Sequence, residues 1–217
     1  MKTITYFFLF ISVNLFSQKS LEKIEKLIDS VPNHSMIQYD LLSYIKSNPE
    51  DCKAKYLLAE YYINEGKPSL SYEYLNNCES NYLDQPNYFW LRSKAVLSFY
   101  SRNYEIIKGS LLAISDIDRV IGLGVNTATV YKAKASLYLL IVKEYLIKID
   151  NYKIIENKSF EDVKPIDERQ EYLIKAKEYL KISEDFVKIT DSIQTIDTSD
   201  LKSELKYYNK KVLEYNF

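Results

Sequence analysis

One histidine, two cysteines and 30 carboxylates are the groups with which this 217-residue chain could do chemistry. His34 stands alone beside Pro32 and Asn33. A metal centre takes three or four ligands and a proton relay a second partner, so His34 reads as an exposed turn residue. Four glycines leave no phosphate-cradling loop, and the chain contains no G-x-S-x-G, H-E-x-x-H or C-x-x-C. The motifs therefore supply no catalytic residue, no metal site and no cofactor, and the first expectation is a non-enzymatic protein. Two carboxylates at the right separation suffice to hydrolyse a glycan, but nothing singles out a pair here. An envelope glycan hydrolase is the alternative reading, and a structural assembly component a third.

Composition fixes the class of scaffold that must carry any site. With 47% hydrophobic and 14% aromatic residues the chain can build a real core, and only four Gly and five Pro argue for long helices with short connections. The expectation is an all-α fold. Lys2 followed by an almost wholly apolar run over residues 4–16 has the pattern of a secretory signal peptide, with cleavage after Ser17. That run is shorter than the ~20 residues a spanning helix takes. The expected organisation is a signal at 1–17 and a single helical domain at 18–217, exported to a periplasm or secreted, with no stable membrane insertion after cleavage. Lys plus Arg number 29 against 30 Asp plus Glu, and both signs alternate along the helical stretches. Such balance gives no basic face for nucleic acid.

Hydrophobic periodicity then lays out about nine helices. Leu21, Ile24, Leu27, Ile28 and Val31 form one stripe, which stops at Pro32, resumes over residues 36–45 and breaks at Asn48 and Pro49. Residues 52–78 read as one complete hairpin: Tyr56, Leu57, Ala59, Tyr62 and Ile63 recur at helical spacing, Gly66 and Pro68 stop and restart the chain, and Leu70, Tyr74 and Leu75 continue the row. Pro86 opens a helix through Trp90, Leu91, Ala95, Val96 and Phe99, and Asn103 and Tyr104 begin its partner through Ile107, Leu111 and Ile114. Residues 116–125, holding Gly122 and Gly124, read as a connection. The longest helix is expected over 127–149, a less periodic insertion over 152–167, another helix over 168–189, and a terminal capping helix over 199–215 with Ser199 or Asp200 as its N-cap.

Ala59, Ala95 and Ala135 fall in the first helix of successive hairpins, 36 and 40 residues apart. Together with Leu58, Ala59, Tyr62 and Gly66 in the first hairpin, and Tyr131, Ala135 and Tyr138 in the third, this spacing resembles the tetratricopeptide repeat family, a solenoid of helix hairpins with a ~34-residue unit. In the second hairpin Leu91 and Ala95 fit, Ser98 replaces the aromatic, and the turn reads Arg102-Asn103-Tyr104. The resemblance implies a concave groove that holds a partner protein or peptide. Carried onto this chain, its groove positions are Tyr56, Glu60, Arg92, Val96, Phe99, Lys132 and Ser136, and Arg92→Glu or Tyr56→Ala is expected to weaken capture with helicity intact. It also implies that Ala59 and Ser71 meet where the first hairpin crosses. Cys52 lies as far before Ala59 as Cys78 lies after Ser71, so a disulfide between them is expected in an oxidising compartment.

Overall fold

Helices form here because apolar residues recur every three or four positions between short stretches of capping and turn chemistry. The computed structural model describes residues 20–31, 36–102, 104–156, 166–193 and 196–215. Among the described residues are nine α-helices, one 3₁₀ turn at Glu79–Asn81 and no strand. The helices are α1 (Leu21–Ser30), α2 (Met36–Ser47), α3 (Cys52–Asn64), α4 (Pro68–Leu75), α5 (Pro86–Arg102), α6 (Ile106–Gly122), α7 (Ala128–Glu156), α8 (Ile166–Ile193) and α9 (Ser199–Glu214). They divide after Leu83 into two compact units, in each of which consecutive helices pack on one another. The expected signal at 1–17 and His34 lie outside the described residues. So do 157–165 of the expected insertion, whose first residues continue α7.

In the first unit, Ile24, Ile37, Leu41, Leu58 and Tyr62 from α1, α2 and α3 form the core. Asp51 caps α3, its Oδ1 accepting from the Lys53 and Ala54 amides at 3.0 Å. At the other end Gly66, at φ 70°, lets its own N–H reach Ile63 O and the Lys67 N–H reach Tyr62 O, the paired bonds that terminate a helix. Pro68 then starts α4. The two helices cross where expected: the buried Ser71 hydroxyl donates to Ala59 O at 2.8 Å. One consequence is covalent. Cys52 and Cys78 form a disulfide with their Cα atoms 5.5 Å apart, closing the open end of the hairpin. Replacing both cysteines with alanine should lower stability by about 3 kcal/mol, the chain entropy of a loop this long. Urea unfolding of oxidised wild type beside the double variant measures it, and coincident curves would count against the entropic account.

The second unit is built on α7 and α8. Tyr131, Tyr138 and Tyr145 recur every seven residues on α7, and Tyr172, Tyr179 and Phe186 every seven on α8. Running antiparallel, the two rows mesh: Tyr131 meets Phe186 at 6.1 Å between ring centres, Tyr138 meets Tyr179 at 5.7 Å, and Tyr145 meets Tyr172 at 5.7 Å. Diagonal neighbours, Tyr138 on Phe186 and Tyr145 on Tyr179, stack at 5.8 and 6.1 Å, so the rings form one unbroken ladder. Beside it Ser183 donates to Ala135 O at 3.0 Å, repeating the serine-to-alanine crossing of the first hairpin. Ser110 on α6 is fully buried, and among the described residues its hydroxyl has no hydrogen-bond partner. At the end of the unit α9 is clasped to α7 at Asp150, which accepts from Lys211 at 2.9 Å and from the Tyr215 hydroxyl. Hydrogen bonding to Asp150 pushes the Lys211 ammonium up to about 12, and burial first, then the same carboxylate, pushes Tyr215 up to about 12.

Two turns in this unit differ from expectation. The segment 116–125 is mostly helix: Ile117 and Val120 are buried and continue the apolar period of α6 through Gly122. The helix ends at Gly124 (φ 89°), with the same paired bonds seen at Gly66. At the end of α5 the left-handed position falls on Tyr104 instead, at φ 59°, where the Tyr104 amide reaches Ser101 O and the Glu105 amide reaches Tyr100 O. An L side chain in this conformation is strained by roughly 1–2 kcal/mol, and glycine gives part of that back through the flexibility of the unfolded chain. The ring is 95% exposed. Tyr104→Gly should therefore raise stability by about 0.5–1 kcal/mol, read as a higher urea midpoint at unchanged slope. A lower midpoint would mean the ring makes a contact worth more than the strain.

Candidate functional site

The second unit carries an open, largely apolar groove of about 430 Å³ between α5 and α7. Trp90, Ser93, Lys94 and Leu97 line it from α5, Ile117 of α6 forms the floor, and the α7 wall runs from Thr129 through Lys132, Ala133, Ser136 and Leu137 to Leu140. Three of the lining residues are small: Ser93, Ala133 and Ser136 leave space that a leucine would fill. Their hydroxyls do not make it polar. Ser93 donates to Trp90 O at 2.8 Å and Ser136 to Lys132 O at 3.0 Å, so both are spent on their own helices.

Charge at the rim is one-sided, since no Asp or Glu lines the groove and two lysines do. Lys132 is tied down: its ammonium donates to Asp197 O at 2.7 Å and pairs with Asp200 Oδ1 at 3.1 Å, pinning the start of α9. The Asp200 carboxyl is held below its usual range by the Leu201 amide first and then by Lys132. Lys94 is different. Its ammonium lies 5.1 Å from the centre of the Trp90 ring, a cation on an aromatic face.

No family model, curated protein or solved structure matches this chain. The site has to be read from its own geometry.

Of the residues expected to form a groove, Lys132 and Ser136 line this one. Arg92, Val96 and Phe99 do not. Arg92 turns to α6, where its guanidinium holds Asp116 through Nε at 3.1 Å and Nη2 at 2.6 Å. Val96 is only 2% exposed, packed in the core. Phe99 sets its edge against Tyr100 at 5.4 Å. The reason is helical geometry: equivalent positions on α5 and α7 point the same way round their own axes, but the groove between the helices is bounded by opposite flanks of the two. Arg92 is two residues, about 200°, from Trp90. Tyr56 and Glu60 belong to the first unit. There Tyr56 stacks on Tyr82 at 5.3 Å, and burial first, then the Glu60 charge, raises its hydroxyl above the usual range. Among the lining residues that sequence reasoning missed, Trp90, Ser93, Lys94 and Leu97 do share a helical row of their own on α5, one flank away from Leu91 and Ala95. The chain's one tryptophan lies on that row.

A second, more polar groove of about 610 Å³ opens where α7 and α8 run on past the start of α6. Leu111, Leu112, Tyr145 and Tyr172 give it an apolar side, while Lys108, Lys148 and Lys175 share its rim with Glu105 and Glu144. Two of these lysines are paired with carboxylates, Lys108 with Glu105 and Lys175 with Glu171. Among the described residues no group of three His, Cys, Asp or Glu could hold a metal ion, and no helix is long and apolar enough to cross a membrane.

Proposed function

We propose that this chain is an exported, non-enzymatic helical-repeat protein of tetratricopeptide type, which holds a peptide segment of a partner protein in the groove between α5 and α7. The observation that carries this reading is the groove itself: open, apolar, walled by two helices, with the Ser93 and Ser136 hydroxyls already hydrogen-bonded. An apolar channel left wet is a standing gain for any segment that covers it, at roughly 25 cal/mol for each Å² of apolar surface removed from water. Helix-walled grooves of this kind take side chains of a peptide or partner helix as anchors. Export is supported by the apolar run at 4–16 behind Lys2 and by the Cys52–Cys78 disulfide, which suits the oxidising conditions of a periplasm or the cell exterior.

Ser136→Phe tests the site. Ser136 is exposed, so a ring there fills the groove without entering the core. Displayed random 12-residue peptides are panned on the oxidised full chain, and the survivors are titrated by the fluorescence of Trp90, the only tryptophan. The expected result is a set of peptides that shift the Trp90 emission to the blue and lose about tenfold or more in affinity on Ser136→Phe, a loss of about 1.4 kcal/mol. Peptides that bind both proteins alike, without touching the emission, would remove the groove from the argument.

A further inference from the structure

The rim charges narrow the kind of segment that fits. Building on the binding reading above, we infer that the partner's segment is acidic as well as aliphatic, and that a side-chain carboxylate on it meets Lys94 beside the Trp90 ring. Three features of the groove point this way. Its lining contains no carboxylate. Of its two cations, Lys132 already pairs with Asp200 and Asp197 O, whereas Lys94 pairs with no carboxylate among the described residues and rests only on Trp90. The chain as a whole carries a net charge of −1, so a positive rim here is a local arrangement and not the overflow of a basic protein.

The physics favours one sign strongly. A carboxylate brought to Lys94 by aliphatic neighbours that dry the groove gains a counter-ion in a poorly screened setting, while a lysine or arginine at the same place meets like charge. A free C-terminus is the less suitable source. A terminal carboxylate is satisfied by several convergent donors, and the hydroxyls of Ser93 and Ser136 are turned to their own helices. One ammonium at the rim suits one side chain.

The test uses C-terminally amidated 12-residue peptides taken from the selection, each made with its acidic residue, with glutamine in its place, and with lysine in its place. Binding is titrated on wild type, Lys94→Gln and Lys94→Glu by Trp90 fluorescence. Lys94 is exposed and outside every ion pair described, so the variants keep the fold, which circular dichroism checks. The expected result is a selected set rich in Asp and Glu, an about tenfold loss on wild type when the acid becomes glutamine, no such loss on Lys94→Gln, and a preference for the lysine peptide on Lys94→Glu. Peptides that Ser136→Phe excludes but that show no acidic excess, or that lose as much on Lys94→Gln as on wild type, overturn the charge assignment and leave the groove standing. Binding that vanishes on amidation overturns the side-chain assignment. If no selected peptide responds to Ser136→Phe, both readings fall together.

Discussion

Arg92→Glu is expected to destabilise the second unit by about 3–5 kcal/mol, because it removes a guanidinium paired with a buried carboxylate and adds a second carboxylate beside it. The Asp116 side chain is 7% exposed and that of Arg92 12%, so water cannot take over the lost partner. The guanidinium also sits over the Tyr88 and Phe89 rings at 5.5 and 5.3 Å, which gives it a packing role as well as a charge. Arg92→Met keeps much of that packing and isolates the electrostatic loss. Adding Asp116→Leu to Arg92→Met should restore most of the stability, since a buried ion pair exchanged whole for apolar side chains is often neutral. Urea unfolding of the two single variants and the double variant closes the cycle. A loss under about 1 kcal/mol for Arg92→Met would place the pair among solvated surface bridges. The result also bears on function: a variant read from the sequence as a probe of capture is instead a probe of the fold, and Ser136→Phe takes its place.

The second large effect lies in the aromatic ladder. Tyr138→Ala should cost about 3 kcal/mol, the low end for truncating a large aromatic residue, because the ring is half-buried between Tyr179 and Phe186. Burial foremost, then the Asp118 charge, raises the Tyr138 hydroxyl above its usual range, as a ring drawn out of water requires. Among the described residues no hydrogen bond from that hydroxyl holds it, so Tyr138→Phe should change stability by less than about 0.5 kcal/mol. A double-mutant cycle of Tyr138→Ala with Phe186→Ala should then return about 0.5–1.5 kcal/mol of coupling beyond simple burial. Additive losses would show that the rings merely fill space.

Much of this was legible in the chain because its causes are local. The stripe of apolar residues and the Gly66–Pro68 turn each act within a few residues, so the helices of the first hairpin could be drawn from sequence. The end of α6 was misjudged for an equally local reason: Gly122 looks like a terminator, but the buried Ile117 and Val120 carry the helix on to it, and the left-handed residue that stops the chain is Gly124. Tyr104 was placed at a turn, but nothing in its type announces a left-handed backbone. The ladder was not drawn from sequence: its two rows of aromatics recur at steps of seven, yet neither row says which other row it meets.

By itself, then, the sequence determined the helical class; the Cys52–Cys78 bridge followed from it only through the resemblance that sets Ala59 against Ser71, a crossing the structure forms. Tertiary structure decided the groove. Which flank of α5 faces α7 depends on how α6 seats between them, through Arg92 on Asp116 and through Gly109, where a Cβ would come within 2.6 Å of the Tyr100 side chain. That packing turns Trp90, Lys94 and Leu97 outward to the channel and Arg92 and Val96 away from it. A one-residue step rotates a helical side chain by about 100°, so a register read from spacing alone can name the right helix and still miss the face that binds.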